Sequence, residues 1–111
     1  MDLARKLQIK EGQRLAVLDL PDGVDLGVEA APDGDAILGF VRMRADLPRM
    51  APVLEAARQD RLAWIAYPKA GGLGTDLDRD SLWALLKDEG VRPVRQVAID
   101  ATWSALRFRP A

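Results

Sequence analysis

Ala36-Ile-Leu-Gly-Phe-Val41 and Leu62-Ala-Trp-Ile-Ala-Tyr67 are the longest apolar runs in the chain, and the reading of these two runs and of the segment between them decides the fold. Each is the length of a strand and contains no polar side chain, the pattern of a strand covered on both faces. Between them Leu47, Met50, Ala51, Leu54 and Ala57 recur at helical spacing, with Asp46 placed to cap the helix and Pro48 in its first turn. Pro52 removes a further backbone donor and kinks or delays that helix. Strand, helix, strand in this order makes a parallel unit the default.

Upstream, Leu15-Ala-Val-Leu18 reads as a short buried strand closed by Asp19-Leu-Pro-Asp-Gly23. Val24 to Glu29 alternates loosely, a weaker strand stopped by Ala31-Pro-Asp-Gly34. The gap between these two is too short for a parallel crossover, so as direct neighbours they would form an antiparallel hairpin at Asp22-Gly23. Downstream, Asp78 is placed to cap a second helix, Leu77 to staple onto Leu82, and Leu82, Leu85 and Leu86 to form its buried stripe, with Gly90 ending it. Val94 to Ile99 and Trp103 to Phe108 form a terminal antiparallel hairpin around Asp100-Ala-Thr102. The expectation is one α/β domain over residues 1–111: a mixed sheet, mainly parallel, with two helices packed on it.

Composition removes more functions than it suggests. In 111 residues, 49% hydrophobic and 30% charged, there is enough apolar material to bury a core, and a net charge of −1 gives no overall field for a phosphate backbone. Nucleic acid is therefore not an expected partner. Neither Cys nor His occurs, which excludes disulfides, thiolate nucleophiles, Ser-His-Asp chemistry and His- or Cys-based zinc sites. The acidic stretch Thr75 to Asp80 lacks the spacing and glycine of an EF-hand loop, so no metal or cofactor is expected. Met1 to Lys10 interleaves Arg5, Lys6 and Lys10 with apolar residues, unlike a secretory signal, and no apolar run approaches the roughly 20 residues that span a bilayer. The expected location is the cytoplasm, away from the membrane.

Two groups of residues are candidates for binding. Gly71-Gly-Leu-Gly74 lies between a core strand and a helix start, where free amides and the helix dipole can hold an anion, with Lys69 adding a charge and Thr75 a hydroxyl. The loop matches neither a Walker motif nor the Gly-x-Gly-x-x-Gly fingerprint, and a plain connector explains it as well. Tyr67, Lys69, Asp76 and Asp80 are the cluster from which acid or base chemistry could come without histidine, although capping and ion pairing with Arg79 account for the acids. The second group is on the terminal hairpin. Alternation places Arg95, Val97 and Ile99 on one face of their strand and Trp103, Ala105, Arg107 and Arg109 on one face of the next. Trp83 and Trp103 are large enough to anchor a protein partner, and Arg107 and Arg109 suit an acidic one, with core packing the competing role of each.

Tyr67-Pro-Lys69, Thr75-Asp-Leu-Asp-Arg-Asp80, Leu82-Trp83, Arg92-Pro-Val-Arg-Gln-Val-Ala-Ile-Asp100 and Thr102-Trp-Ser-Ala-Leu-Arg-Phe-Arg-Pro110 together resemble a family of small bacterial proteins defined as a domain of unknown function. The resemblance covers nearly the whole chain and implies bacterial origin without an activity. In architecture, residues 35–109 also resemble the C-terminal half of a class I S-adenosylmethionine-dependent methyltransferase, which implies a small Rossmann-like sheet. Such enzymes hold their cofactor beside a glycine-rich turn after the first strand. The matching position here reads Asp19-Leu-Pro-Asp-Gly-Val24, with one glycine and a proline, so methyl transfer is not expected.

These observations lead to a non-enzymatic cytoplasmic binding or interaction module, with a regulatory role open to it, that uses the loop from Lys69 to Asp80 and the terminal hairpin. Its partner would be a protein or a small anionic ligand. The alternative is a small ligand-binding protein or enzyme whose site at residues 69–80 is completed by homodimerisation.

Overall fold

The computed structural model describes residues 2–69 and 71–111; residue 70, inside the Lys69–Asp80 loop, lies outside the described residues. Five strands, β1 (Leu15–Leu18), β2 (Ala36–Phe40), β3 (Leu62–Pro68), β4 (Val91–Ala98) and β5 (Trp103–Pro110), form one mixed sheet in the order β1-β2-β3-β5-β4. Three α-helices accompany it: a single turn α1 (Leu3–Lys6), α2 (Ala51–Arg58) and α3 (Arg79–Leu86). The α/β class and the two main helices match the sequence, while α1 does not figure in that reading.

The sheet is not mainly parallel. β1 with β2 and β2 with β3 are parallel, and β3 with β5 and β5 with β4 are antiparallel. The reason is the insertion of β5 between β3 and β4. Its first four residues, Trp103 to Leu106, are buried on both faces, whereas β4 exposes Arg92, Val94, Arg95 and Gln96 and takes the edge. An edge also tolerates Pro93, which has no amide to donate, and the register shifts between Pro93 and Arg95 as a bulge.

The hairpin expected at Asp22-Gly23 is absent. Val24 to Glu29 forms no strand, and the pairing with β1 in this region is an isolated parallel bridge of Leu15 with Ala30, just beyond it. Gly27 takes φ +66 and donates its amide to Asp25 Oδ1 at 2.9 Å, a local turn that breaks the extended backbone pairing needs. Leu26, with Val24 and Val28 beside it, instead packs on a face of the sheet.

Two apolar layers result. On one face Ile37, Ile65, Leu106 and Phe108 meet Met50, the residue before α2, α2 itself through Val53 and Leu54, and α3 through Leu82 and Leu86. Gly39 turns toward α2, and a Cβ there would meet the Met50 side chain, so the missing side chain sets how closely the helix approaches. On the other face Leu38, Phe40, Trp64 and Trp103 are covered by Leu7, Leu26 and the N-terminal turn.

The helix starts follow from their residues. A 3₁₀ turn, Arg44–Met50, precedes α2, which begins only at Ala51 with Pro52 in its first turn. Proline thus delays the α-helix. Asp46 acts from within the turn rather than ahead of it, accepting from the amides of Arg42 at 2.9 Å and Met43 at 3.2 Å. Asp78 caps α3, accepting from Ser81 N at 2.8 Å, and Leu77 packs in the same apolar layer as Leu82. Leu85 is 42% exposed, so the buried stripe is Leu82 and Leu86 alone. After a further 3₁₀ turn, Gly90 ends the segment at φ +79.

Candidate functional site

The carboxyl ends of the parallel strands gather most of the chemistry of the domain. β1, β2 and β3 all end there, and antiparallel β5 begins there, with Pro68 opposite Trp103. Open α/β sheets hold ligands outside this edge.

At the end of β3 lies an open depression of about 530 Å³ lined by Tyr67, Lys69, Asp78, Arg79, Asp80, Gln96 and Ser104. Tyr67 and Ser104 are directly opposite each other in the β3–β5 register, on the face that also carries α2 and α3. Tyr67 is 3% exposed and its hydroxyl is buried with no hydrogen-bond partner among the described residues. A buried polar atom without a partner is rare and costs free energy, so it marks a place where an incoming group would be stabilised. Burial raises the phenol above its ordinary value of 10.0, against the opposing pull of the Arg79 charge and with a smaller push from Asp78 and Asp80. The hydroxyl is therefore protonated at neutral pH and can donate.

The charges around Tyr67 differ in how they are held. Asp78 is occupied by its cap, and its hydrogen bonds with the Ser81 amide and hydroxyl lower its pKa. Arg79 and Asp80 face each other at 3.4 Å. Lys69 has no ion pair among the described residues, and its amide is tied to Thr102 O at 2.8 Å, which fixes the start of the loop beside β5. Among the described residues the depression thus contains one cation that forms no ion pair and one buried donor without an acceptor, beside the carboxylates of Asp78 and Asp80.

Of the loop residues singled out by sequence, Tyr67, Lys69 and Asp80 line this depression, and Gly71, Gly72, Gly74, Thr75 and Asp76 do not. Gly71 and Gly74 adopt φ +75 and +68, and Leu73 between them is left-handed too, so the glycines serve a tight turn. The amides of Gly72 and Thr75 are spent on Lys69 O at 2.7 Å and Gly72 O at 3.0 Å. The Thr75 hydroxyl donates to Arg42 O and accepts from Leu77 N, and Asp76 Oδ1 accepts from Arg44 N at 2.9 Å. Thr75 and Asp76 knit the loop to the β2–α2 connection. Gln96 and Ser104 join the site unannounced; the alternation that puts Trp103 and Ala105 on one face already puts Ser104 on the other.

A second depression of about 430 Å³ lies at the ends of β1 and β2, between Asp19, Asp22, Phe40, Arg42, Asp46 and Arg49. It sets three carboxylates, Asp19, Asp22 and Asp46, beside two arginines, Arg42 and Arg49.

The hairpin residues are placed differently from the loop. Trp103 is 3% exposed and meets Phe40 edge to face at 5.1 Å, so its ring has little surface to offer a partner beyond the edge that lines the second depression. Trp83 is half-buried on α3 against the apolar layer. Arg109 forks onto Asp60, Nε to Oδ1 at 3.0 Å and Nη2 to Oδ2 at 3.1 Å, and Arg107 Nη1 donates to Gln8 Oε1 at 2.6 Å.

No family model, curated protein or solved structure matches the chain. Among the described residues no group of three acids could hold a metal ion, and no helix is long and apolar enough to cross a membrane.

Proposed function

We propose that the domain is a binding module and that its ligand is a small anion seated over Tyr67. The observation that carries this is the buried, unpartnered Tyr67 hydroxyl lining the depression that also holds the Lys69 side chain. An anionic oxygen accepting from the phenol and neutralising Lys69 would satisfy both at once, and such charge-assisted bonds are the stronger kind. Ser104 and Gln96 can fix its orientation.

A non-enzymatic role is supported by the state of the acids. Asp78 is committed to capping α3 with its pKa lowered, which makes it a poor proton donor at neutral pH. The same proposal takes the chain as cytoplasmic and as a relative of the small bacterial family its motifs resemble. The succession of strand, helix, strand, helix and terminal antiparallel hairpin over residues 36–110 supports a Rossmann-like, methyltransferase-related architecture. The turn after β1 keeps its proline and single glycine, in line with a lost cofactor site.

The test is an amide-resolved NMR titration with acetate, succinate, citrate and inorganic phosphate. Shifts should concentrate at Tyr67, Lys69, Gln96 and Ser104 for at least one of these anions, and both Tyr67→Phe and Lys69→Gln should weaken binding. Shifts confined to other residues, or equal binding by both variants, would refute the reading.

A further inference from the structure

Four arginines share the sheet face that lies opposite α2 and α3, in two cross-strand pairs. The β4–β5 register sets Arg95 against Arg107 and Arg92 against Arg109. Like charges directly opposite one another oppose strand pairing. Among the described residues a single carboxylate, Asp60, answers them, and it is committed to Arg109. Among the same residues Arg107 gives one nitrogen to Gln8 and keeps its Nε buried without a partner, Arg92 Nε donates to Pro110 O at 3.2 Å, and Arg95 is exposed with no ion pair. Desolvation and then the neighbouring charge of Arg109, with a smaller contribution from Arg95, lower the Arg107 pKa, as expected of cations held close together.

Protection of a free sheet edge accounts for part of this. Charged side chains, a proline and a bulge on β4 all discourage a stray strand from pairing there. That account does not reach Arg107 and Arg109, because β5 is an inner strand with a neighbour on each side.

We propose that this face docks an extended acidic segment of a partner protein, with carboxylates at alternate residues. Alternate residues of an extended chain repeat every ~6.6 Å, the same repeat that separates Arg107 from Arg109 along β5. A segment lying along β5 therefore brings one carboxylate to each arginine pair. Asp60 on Arg109 shows the contact in miniature, a fork in which both carboxylate oxygens are used. Nucleic acid fits less well, since Trp64 and Trp103 on this side are buried and cannot stack on bases.

The experiment uses the full chain and a fluorescently labelled peptide alternating Glu and Thr, with an isomer of the same composition whose glutamates are contiguous. Anisotropy should show binding of the alternating peptide that weakens with salt, and several-fold weaker binding of the isomer. Arg92→Gln with Arg95→Gln should lower affinity about tenfold or more. Both residues are exposed, so the circular dichroism spectrum should not change, and Tyr67→Phe should leave peptide binding intact, which separates this surface from the anion site. Equal affinity for the two isomers, undiminished binding by the double variant, or binding of an oligoribonucleotide in place of the peptide would overturn the proposal. So would self-association in sedimentation with no peptide bound.

Discussion

The indole Nε1 of Trp64, at the centre of β3, donates to the carbonyl of Leu7 at 3.0 Å, and both residues are fully buried. One hydrogen bond thus pins the N-terminal segment across the face of the sheet that α2 and α3 leave uncovered. Trp64→Phe removes the donor, leaves the Leu7 carbonyl buried without this partner and opens space beside Leu38. The expected loss is about 2–3 kcal/mol. Urea denaturation checks it, and hydrogen exchange should show faster opening of residues 3–9 than of β2. A variant as stable as the parent would mean that the N-terminal segment contributes little.

Gly39 makes a comparable test on the opposite face. A Cβ there would meet Met50 and lie 3.0 Å from Val53 Cγ2, so α2 must shift or Met50 must change rotamer. Gly39→Ala should cost about 1–3 kcal/mol through overpacking. In a Met50→Ala background the same substitution should cost less, by about 1 kcal/mol of coupling in a thermal or urea double-mutant cycle. Strict additivity would show that the close approach is not what requires glycine.

Those two positions also show what sequence reading can reach. Ala36 to Val41 and Leu62 to Tyr67 declare themselves as β2 and β3 because a strand buried on both faces has no polar residue to disguise it. The delayed start of α2 is legible in Pro52, and the cap of α3 in Asp78. The alternation of Val24, Leu26 and Val28 misleads because it reflects side chains plugging a sheet face, and Gly27 breaks the backbone without breaking the pattern. A hairpin signal fixes that β4 and β5 are neighbours but not which of them meets β3. That choice decides the site: with β5 inside, Ser104 faces Tyr67, and Gln96 comes into the same depression. Tyr67, Lys69 and Asp80 are accessible to sequence reasoning, whereas Gln96 and Ser104 depend on strand order.

Tyr67→Phe separates stability from binding. The hydroxyl is buried without a partner, so its removal should leave stability unchanged or raise it by up to about 1 kcal/mol, while anion binding is lost. The pH dependence has a definite sign. Burial raises the folded-state pKa above 10.0, so the unfolded chain releases this proton first. The contribution is fully present below pH 10.0 and is lost as pH rises toward the folded-state value. Thermal unfolding from pH 8 to 11 should therefore show a steeper alkaline decline for the parent than for Tyr67→Phe. Parallel curves would mean that the hydroxyl is reached by solvent rather than buried, and a marked drop in stability at pH 7 would mean that it has a partner after all.

Asp60 provides the acid counterpart. It occupies the left-handed region at φ +59, between α2 and β3, and grips Arg109. Asn tolerates that backbone conformation as well as Asp does, so Asp60→Asn removes the charge without straining the turn. The hydrogen bond from Arg109 lowers the Asp60 pKa below 3.8, with the Arg109, Arg107 and Arg92 charges acting in the same direction. A depressed carboxylate stabilises the fold above its unfolded-state pKa and loses that contribution as pH falls through the folded-state value. Asp60→Asn should melt lower than the parent at pH 7, and the two curves should converge as pH falls below 3.8. Because the pair is exposed, the difference at pH 7 should be modest and should shrink in high salt. A difference that persists unchanged at pH 2 would assign the role of Asp60 to the turn rather than to the arginines, and would leave all four guanidinium groups without an answering charge.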